Sequence, residues 1–475
     1  MLPALIKNRR SKKTMYNLHL NNFRSFIDQD LNFSRINILI GENSGGKSSL
    51  LKFLLSLKQT LDSPLESNLK LKGDYTDLGN YKEVIYNKNS KNTLDFSFSD
   101  SNKYISFFKE TYLEMNEEDA NVKEQVERLL AIVENSKTCV YFSLNDKLDD
   151  HSSIKTIIEN DTIGKIEIIQ KDKQEETFKY RHCTLNVELS NFHQSFEDVY
   201  GFKEGFFTYI GGNLVEKIKK ENKSEYDSDE LFTKIAFLLL FQNYISEKIE
   251  NIRFVNPIGN SPKRFYFQED KKSSYKLIDI EKFINILGDK NLSHNEQKER
   301  VKLLNQTIKE FGIAEEVKLV QHKDVPILTL EVKTKGYWAN ITDVGYGVSL
   351  QIPILFQALL SEHYSKKGQT ILIEQPEVHL HPTLQAKFIE TLLSIGDKNS
   401  YFIETHSEHI IRKLQVLIKT KYKNLKPDDI SIYYFKRTTE KFEITEHKIL
   451  ESGKLSKPFP TGFYDTSYNL VKDLL

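Results

Sequence analysis

Cysteine is nearly absent from this chain: Cys139 and Cys183 are the two in 475 residues. Two thiols make neither a disulfide framework nor a four-cysteine zinc site, and the sequence predicts a reducing, intracellular setting. Net charge is absent too, with 67 Lys+Arg against 67 Asp+Glu. That balance argues against a chain that coats nucleic acid by bulk electrostatics, while a local basic patch stays open. No apolar run approaches the ~20 residues that a bilayer needs; the longest worth testing is Ile235–Phe241. The basic residues Lys7, Arg9, Arg10, Lys12 and Lys13 have no apolar stretch behind them. Residues 1–15 therefore read as a flexible basic tail rather than a secretory signal. A soluble, cytoplasmic protein with no membrane contact is expected. Internal repeats and sustained heptads are missing as well, which excludes a solenoid and a long coiled-coil arm.

What is present is core material. The 55.5 kDa chain is 39% hydrophobic and 28% charged, with mean hydropathy −0.49, and its 30 Phe and 23 Tyr exclude wholesale disorder. Tyr16–Phe26 opens as an alternating strand and then turns, and Ile36–Ile40 is a β-branched and leucine run that ends at Gly41. Such a run reads as a strand buried on both faces. A helix is expected from about Lys47 to Leu57. Between about Leu94 and Val332 the character is mixed: a polar helix near Glu117–Asn135, strands over Ser153–Leu189, an apolar helix near Asp229–Ile249, a turn at Pro257–Pro262 and more helix through Phe311. From Trp338 the pattern is again α/β. Ser349–Glu362 reads as a helix despite Pro353, Thr370–Ile373 as a strand, Pro382–Leu393 as a helix, Tyr401–Ile403 as a strand and His409–Ile418 as a helix. The predicted fold is α/β, one mostly parallel sheet split by a large mixed α+β insertion. The predicted parts are the tail 1–15, a first core part 16–93, the insertion 94–332 and a second core part 333–475.

The segment Gly41-Glu42-Asn43-Ser44-Gly45-Gly46-Lys47-Ser48 fits G-x-x-x-x-G-K-[ST], between a buried strand and a helix that opens Lys47-Ser48-Ser49. Glycines let successive N–H groups curl around a phosphate, and the helix start adds its dipole. ATP with Mg²⁺ is the expected ligand pair. Asn43, Ser44, Gly45, Gly46, Lys47, Ser48 and Ser49 are candidate nucleotide contacts, with Lys47 reaching the β- and γ-phosphates and Ser48 ligating Mg²⁺. The run Thr370-Ile-Leu-Ile373-Glu374 carries a carboxylate to the end of what is expected to be a neighbouring strand, so Glu374 is the second candidate Mg²⁺ ligand.

Further segments carry a resemblance. They are Asn22-Phe23-Arg24-Ser25 after the first strand, Asp343-Val-Gly345-Tyr-Gly347-Val-Ser349-Leu-Gln351 before a helix, and Glu374-Gln375-Pro376-Glu377 followed by His379-Leu-His381-Pro382. Ile403-Glu-Thr405-His406-Ser407-Glu408 and the ending Phe459-Pro-Thr-Gly462-Phe463-Tyr-Asp465 complete the set. In this order they resemble the P-loop heads of ABC-type ATPases in the SMC, RecF and OLD group, within it the AAA-family ATPases of bacterial anti-phage defence operons such as Septu and PARIS. The resemblance covers about Tyr16–Gly79 and Val255–Asp465.

It implies that Arg24 belongs to the nucleotide site and that Gly345, Gly347 and Ser349 contact the γ-phosphate of ATP held by a second subunit. Whether Gly347 or Ser349 lies nearest is open. It implies that His406 is a switch histidine, and that two or more copies assemble around sandwiched ATP. It also implies a separate effector nuclease as partner. The position after the Mg²⁺ carboxylate, glutamate in the family, is Gln375 here. An amide orients water without taking its proton, so hydrolysis is expected to be slow unless Glu377 or His406 is the base.

Five of the 12 histidines fall between His363 and His409, but the spaced pairs His379/His381 and His406/His409 sit inside these motifs and lack a nearby cysteine, which disfavours zinc. No nuclease signature is found. Lys419, Lys421, Lys423 and Lys426 read as a solvated helix end, with DNA phosphate as the alternative. The expected activity is ATP hydrolysis in a defence complex. The alternative is a RecF- or SMC-like repair ATPase that binds DNA itself, and a scaffold that binds ATP without turnover is a third reading.

Overall fold

The computed structural model describes residues 16–63, 69–100, 103–115, 120–134, 136–145, 153–171, 181–189, 192–204, 207–210, 228–255, 261–267, 277–289, 291–322, 325–439, 441–460 and 472–473. The expected tail over 1–15, most of the turn at Pro257–Pro262 and positions 461–465 of the closing motif lie outside these residues. Two compact units share the chain. The first takes in the chain up to Phe33, Lys52–Glu250 and Thr439–Phe442; the second takes in Ser34–Leu51, Asn251–Thr438 and the chain from Glu443 on.

The first unit is built on a nine-stranded antiparallel sheet. Its spatial order is Phe207–Ile210, Phe192–Glu204, Arg181–Leu189, Gly164–Lys171, Ser153–Asn160, Thr138–Asn145, Leu94–Asp100, Asn17–Asn21 and Gln29–Asn32. Period-two burial explains it: Phe96 and Phe98, Val140, Phe142 and Leu144, Ile154 and Ile158, Ile166 and Ile168, Leu185 and Val187 all face inward. The helices Lys103–Met115, Ala120–Val133 and Ser228–Glu250 belong to this unit. Tyr104 packs its ring against Phe237, Phe241 and Tyr244 at 4.9, 4.8 and 5.5 Å between centroids. The Tyr244 hydroxyl donates to Asp100 Oδ2 at 2.7 Å, which satisfies both groups in the core.

The second unit holds a seven-stranded sheet in the order Leu277–Ile278, Ile252–Val255, Thr370–Glu374, Ser400–Glu404, Ile36–Gly41, Ile430–Arg437 and Phe442–His447. The first six of these strands run parallel. Ile36, Ile38 and Ile40, Ile371 and Ile373, Tyr401 and Ile403, and Ile430 and Ile432 join one core with Phe283, Ile352, Phe356, Phe388 and Leu392 from the helices. Each such side chain contributes about 1.5–3 kcal/mol on burial. A smaller antiparallel sheet combines Tyr266–Phe267, Ile327–Thr334 and Glu316–Gln321, with Tyr337–Asn340 paired to Ile327–Thr334. The helix read at Ser349–Glu362 runs Tyr346–Tyr364, with Pro353 inside it.

The units divide the chain elsewhere than 16–93, 94–332 and 333–475, and strand partnership is the reason. Asn17–Asn21 pairs with Leu94–Asp100, while Ile252–Val255 pairs in parallel with Thr370–Glu374. No helix among the described residues is long and apolar enough to cross a membrane, and no long coiled coil is found among them.

Candidate nucleotide site

The loop after Ile36–Gly41 is shaped by close backbone approach. Gly41 has φ +129°, and a Cβ there would lie 2.0 Å from the Phe435 carbonyl oxygen, so only glycine fits. The Glu42 N–H donates to that carbonyl at 3.0 Å, the Gly45 N–H closes the loop on the Glu42 carbonyl at 3.1 Å, and the Leu50 N–H starts the helix Lys47–Leu61 on the Gly46 carbonyl. Ser44 at φ 59° and Gly46 at φ 107° complete the curl, with Asn43 and Ser44 exposed at its tip and Gly45, Gly46 and Ser49 buried. The Lys47 ammonium turns back onto the loop, donating to the carbonyls of Gly41 at 3.1 Å and Glu42 at 2.8 Å. Burial pulls the Lys47 pKa down, while the charges of Glu404, Glu377 and Glu42 hold it up.

The strand order corrects one expectation. Glu374 does not end the strand beside the loop strand; Ser400–Glu404 lies between the two, and it ends in Glu404, in register with Glu374. Glu404 is buried and accepts the Ser48 hydroxyl at 2.8 Å. Sequence reading passed over Glu404, although Tyr401-Phe-Ile403-Glu404 repeats the apolar-run-plus-glutamate pattern of Ile371-Leu-Ile373-Glu374.

Past Glu374 the chain tightens. Gln375 stands at φ 44°, its N–H donating to the Glu404 carbonyl at 2.7 Å and its carbonyl accepting Val378 N–H at 3.2 Å. Glu377 Oε1 accepts the His406 N–H at 2.6 Å. Burial raises the Glu377 pKa above its ordinary value against hydrogen bonds that lower it. His406, by contrast, is shifted down by burial and then by the Lys47 charge, both of which favour the neutral imidazole. Lys47, Ser48, Glu377 and His406 are thus brought together with Glu404 at the carboxyl edge of the parallel sheet, where such sheets bind ligands.

In the glycine-rich segment Gly347 and Ser349 both lie buried at the helix start. Ser349 is buried, and its hydroxyl donates to the Tyr346 carbonyl at 2.8 Å. A Cβ on Gly347 would lie 2.7 Å from the His379 carbonyl oxygen, so this glycine packs the helix start against the loop after Glu374. Gln351 reinforces that contact by donating to the Pro376 carbonyl at 2.7 Å. Gly345, the helix N-cap, has open space where its Cβ would be.

Arg24 belongs to the other unit, at φ 51°, with its guanidinium 5.9 Å from the Phe23 ring centroid. His381 caps the helix Pro382–Ile395 through Thr383 N–H. Ser407 caps Glu408–Lys419 and is held by Gln385 at 2.7 Å. After that helix, Lys423 donates to the Ser394 carbonyl at 2.7 Å. Phe459 packs against buried His447 in a tilted ring contact, 4.5 Å between centroids.

Among the described residues no three His, Cys, Asp or Glu side chains gather into an all-protein metal cage. Magnesium asks for less, since it keeps several waters and takes one or two carboxylates together with phosphate oxygens. Ser48 hydrogen-bonded to Glu404, with Glu374 in register, is a donor set of that chemistry. A glycine-shaped loop at the end of a buried parallel strand, a lysine within it and carboxylates on the adjoining strand ends define a P-loop nucleotide-binding protein. Residues 15–411 match the family described as "AAA ATPase domain", and the chain belongs to it. Residues 425–474 match a second family, described as a protein of unknown function. No curated protein matches the chain.

Among solved structures the chain is similar to an SMC head bound to the C-terminal winged-helix domain of ScpA, at 11% identity and TM-score 0.44 over 91% of this chain and 97% of the other. It is also similar to the SMC head domain from Thermotoga maritima, at 9% identity and TM-score 0.34 over 90% and 97%. The third is an SMC head with an extended coiled coil bound to the C-terminal domain of ScpA from Pyrococcus furiosus, at 10% identity and TM-score 0.39 over 96% and 98%.

Proposed function

We propose that the second unit binds ATP with Mg²⁺ and hydrolyses it slowly, and that ATP joins two or more copies of the chain into an assembly controlling a separate effector nuclease in anti-phage defence. The observation that carries the nucleotide reading is the convergence of Lys47 with Ser48, Glu404, Glu377 and His406 at one sheet edge. Membership of an ATPase family supports the same reading. Phosphate would draw the Lys47 ammonium off the carbonyls of Gly41 and Glu42, exchanging two neutral acceptors for a charged one. Magnesium, when bound, neutralises charge between the β- and γ-phosphates, and Ser48 with Glu374 and Glu404 would hold it.

Gln375 orients the attacking water without taking its proton, and Glu377, whose Oε1 is already engaged by the His406 N–H, takes it inefficiently, so that turnover stays slow. The raised pKa of Glu377 suits a base, and its bond to the His406 N–H couples the two loops. The open Gly345 end of its helix is the part offered to a second copy's nucleotide. The defence setting and the nuclease partner rest on the motif resemblance alone.

The test is single-turnover hydrolysis of labelled ATP together with the protein's mass in solution, with and without ATP. Slow turnover lost in Lys47→Ala, an ATP-dependent rise in mass, and roughly tenfold or more faster turnover in Gln375→Glu are expected. Fast turnover indifferent to Gln375→Ala would refute slow hydrolysis at this position. Tight DNA binding without a partner, with DNA-stimulated turnover, would replace the defence reading by that of a repair ATPase.

A further inference from the structure

In the small antiparallel sheet of the second unit, the strand Glu316–Gln321 pairs only with Ile327–Thr334 among the described residues, so its other edge has no strand. Which backbone groups face that edge follows from the ladder bond next to the strand. His322 N–H donates to the Ile327 carbonyl at 3.1 Å, which assigns the alternate positions Val320 and Lys318 to the inner ladder and turns Val317 and Leu319 outward. At Val317 the edge is already covered, because the Asn305 amide accepts its N–H at 2.8 Å and donates to its carbonyl at 3.2 Å. Among the described residues Leu319 has no such clamp.

Beside this edge runs a groove of about 760 Å³ between the strand and the helix His294–Phe311. Val301 and Leu319 give it an apolar floor. Lys298, Lys302 and Lys309 line it from the helix, and Lys318 and Lys333 from the sheet, against two carboxylates, Glu315 and Glu316. The lysines at 298, 302 and 309 are spaced by four and seven residues, so they share one helix face. All three are exposed. Lys318 pairs with Glu331 at 2.7 Å and lies 4.2 Å from the Trp338 ring centroid, and Glu315 accepts the Gly336 N–H at 2.9 Å.

We propose that this edge docks an extended acidic peptide segment of a partner protein. The segment adds a strand at Leu319, with glutamate or aspartate side chains lying along Lys298, Lys302 and Lys318. Main-chain pairing supplies attachment and the lysines supply selectivity, the division of labour found in strand addition. An apolar floor and a main-chain edge suit a peptide, whereas a phosphodiester strand uses neither and meets Glu315 and Glu316. No residue of this groove belongs to the nucleotide site, so the inference stands apart from the ATP reading.

The experiment is fluorescence anisotropy with the full chain and a labelled eight-residue peptide alternating glutamate with valine and threonine. Saturable binding is expected, weakened roughly tenfold or more in Lys298→Glu/Lys302→Glu, whose side chains are exposed and leave the core untouched. A second peptide, N-methylated at alternate amides, is expected to lose binding in the register that faces Leu319. Equal binding of peptides methylated in either register would overturn strand addition. No saturable binding, or oligothymidylate of equal charge displacing the peptide at lower concentration than the unlabelled peptide does, would overturn the acidic-peptide assignment.

Discussion

Gly347→Ala separates two roles that a glycine-rich segment can have. Within a helix, alanine is favoured over glycine by about 1 kcal/mol, so propensity alone makes this substitution stabilising. The structure opposes it. The new Cβ would sit 2.7 Å from the His379 carbonyl oxygen and 3.3 Å from both its carbonyl carbon and Leu380 Cδ2, and the nearest atom is backbone that cannot swing aside. Ordinary contact begins at 3.4 Å, so helix and loop must part by several tenths of an ångström. Overpacking of this kind costs about 1–3 kcal/mol. The net effect on stability is therefore small, a loss of about 0–2 kcal/mol.

The loop that yields is the one carrying Gln375 and Glu377. It is short of freedom: Val378 and Leu380 N–H groups close back on the carbonyls of Gln375 and Glu377, and Gln351 pins Pro376. A shift of His379 is therefore passed to Glu377. Misplacement of a reacting group by about 1 Å costs on the order of 100-fold in rate, so a drop of roughly tenfold or more is expected here. The assay is single-turnover ATP hydrolysis beside thermal unfolding. The expected result is a large loss of rate with a small change in melting temperature. Gly345→Ser is the control, since its Cβ meets open space and serine suits an N-cap; its stability should stay within about 0.5 kcal/mol of the parent. Turnover within twofold of the parent in Gly347→Ala would refute the claim that this contact positions the loop.

Glu377→Gln should cut turnover by about 100-fold or more if Glu377 is the base. It should also stabilise the fold at neutral pH. A carboxyl whose folded pKa is raised gives stability present below the ordinary value of 4.5 and lost as pH rises through the folded value. Parent and variant should therefore differ in melting temperature above that window and converge below it, and the parent's turnover should rise with pH through it. Glu404→Gln removes the largest charge holding the Lys47 pKa up against burial. ATP affinity in that variant should begin to fall at a lower pH on the alkaline side than in the parent, measured by equilibrium titration; an unchanged alkaline limb would show that Glu404 does not support the Lys47 charge.

The phosphate loop was legible because every requirement in it is local: a buried strand, glycines where φ is positive, and a helix start. The meander of the first unit was partly legible, since its strands alternate with period two and Ser153–Leu189 shows that alternation over a long stretch. What sequence reading did not yield depends on partners far along the chain. Nothing local to Asn17–Asn21 tells that it pairs with Leu94–Asp100 rather than with the parallel sheet. Ile252–Val255 is four residues long, too short for its pattern to announce membership of the parallel sheet. Glu404 was hidden for a related reason. Its apolar run is as clear as that before Glu374, but only the strand order shows which of the two lies beside the phosphate loop. The role of Gly347 was hidden because its neighbour, the His379 carbonyl, is backbone and leaves no mark in residue type.

The site and the core are one construction, and Gln375 shows how. A non-glycine residue in the left-handed region costs roughly 1–2 kcal/mol, and something must hold it there. Here the parallel ladders run one step past their strands: Gln375 N–H reaches the Glu404 carbonyl, and Thr405 N–H reaches the Leu39 carbonyl. Each extra rung fixes the first residue of a loop at the sheet edge, one opening onto Glu377 and the other onto His406, and the bond between Glu377 and His406 N–H then ties the two loops together. The isoleucines at 38, 373 and 403 that register these strands are buried in the shared core, so their packing sets the level at which each strand stops. A core change that slides Thr370–Glu374 against Ser400–Glu404 would therefore move Gln375 and Glu377 relative to Lys47 without touching either, and would impair turnover before it unfolds the protein.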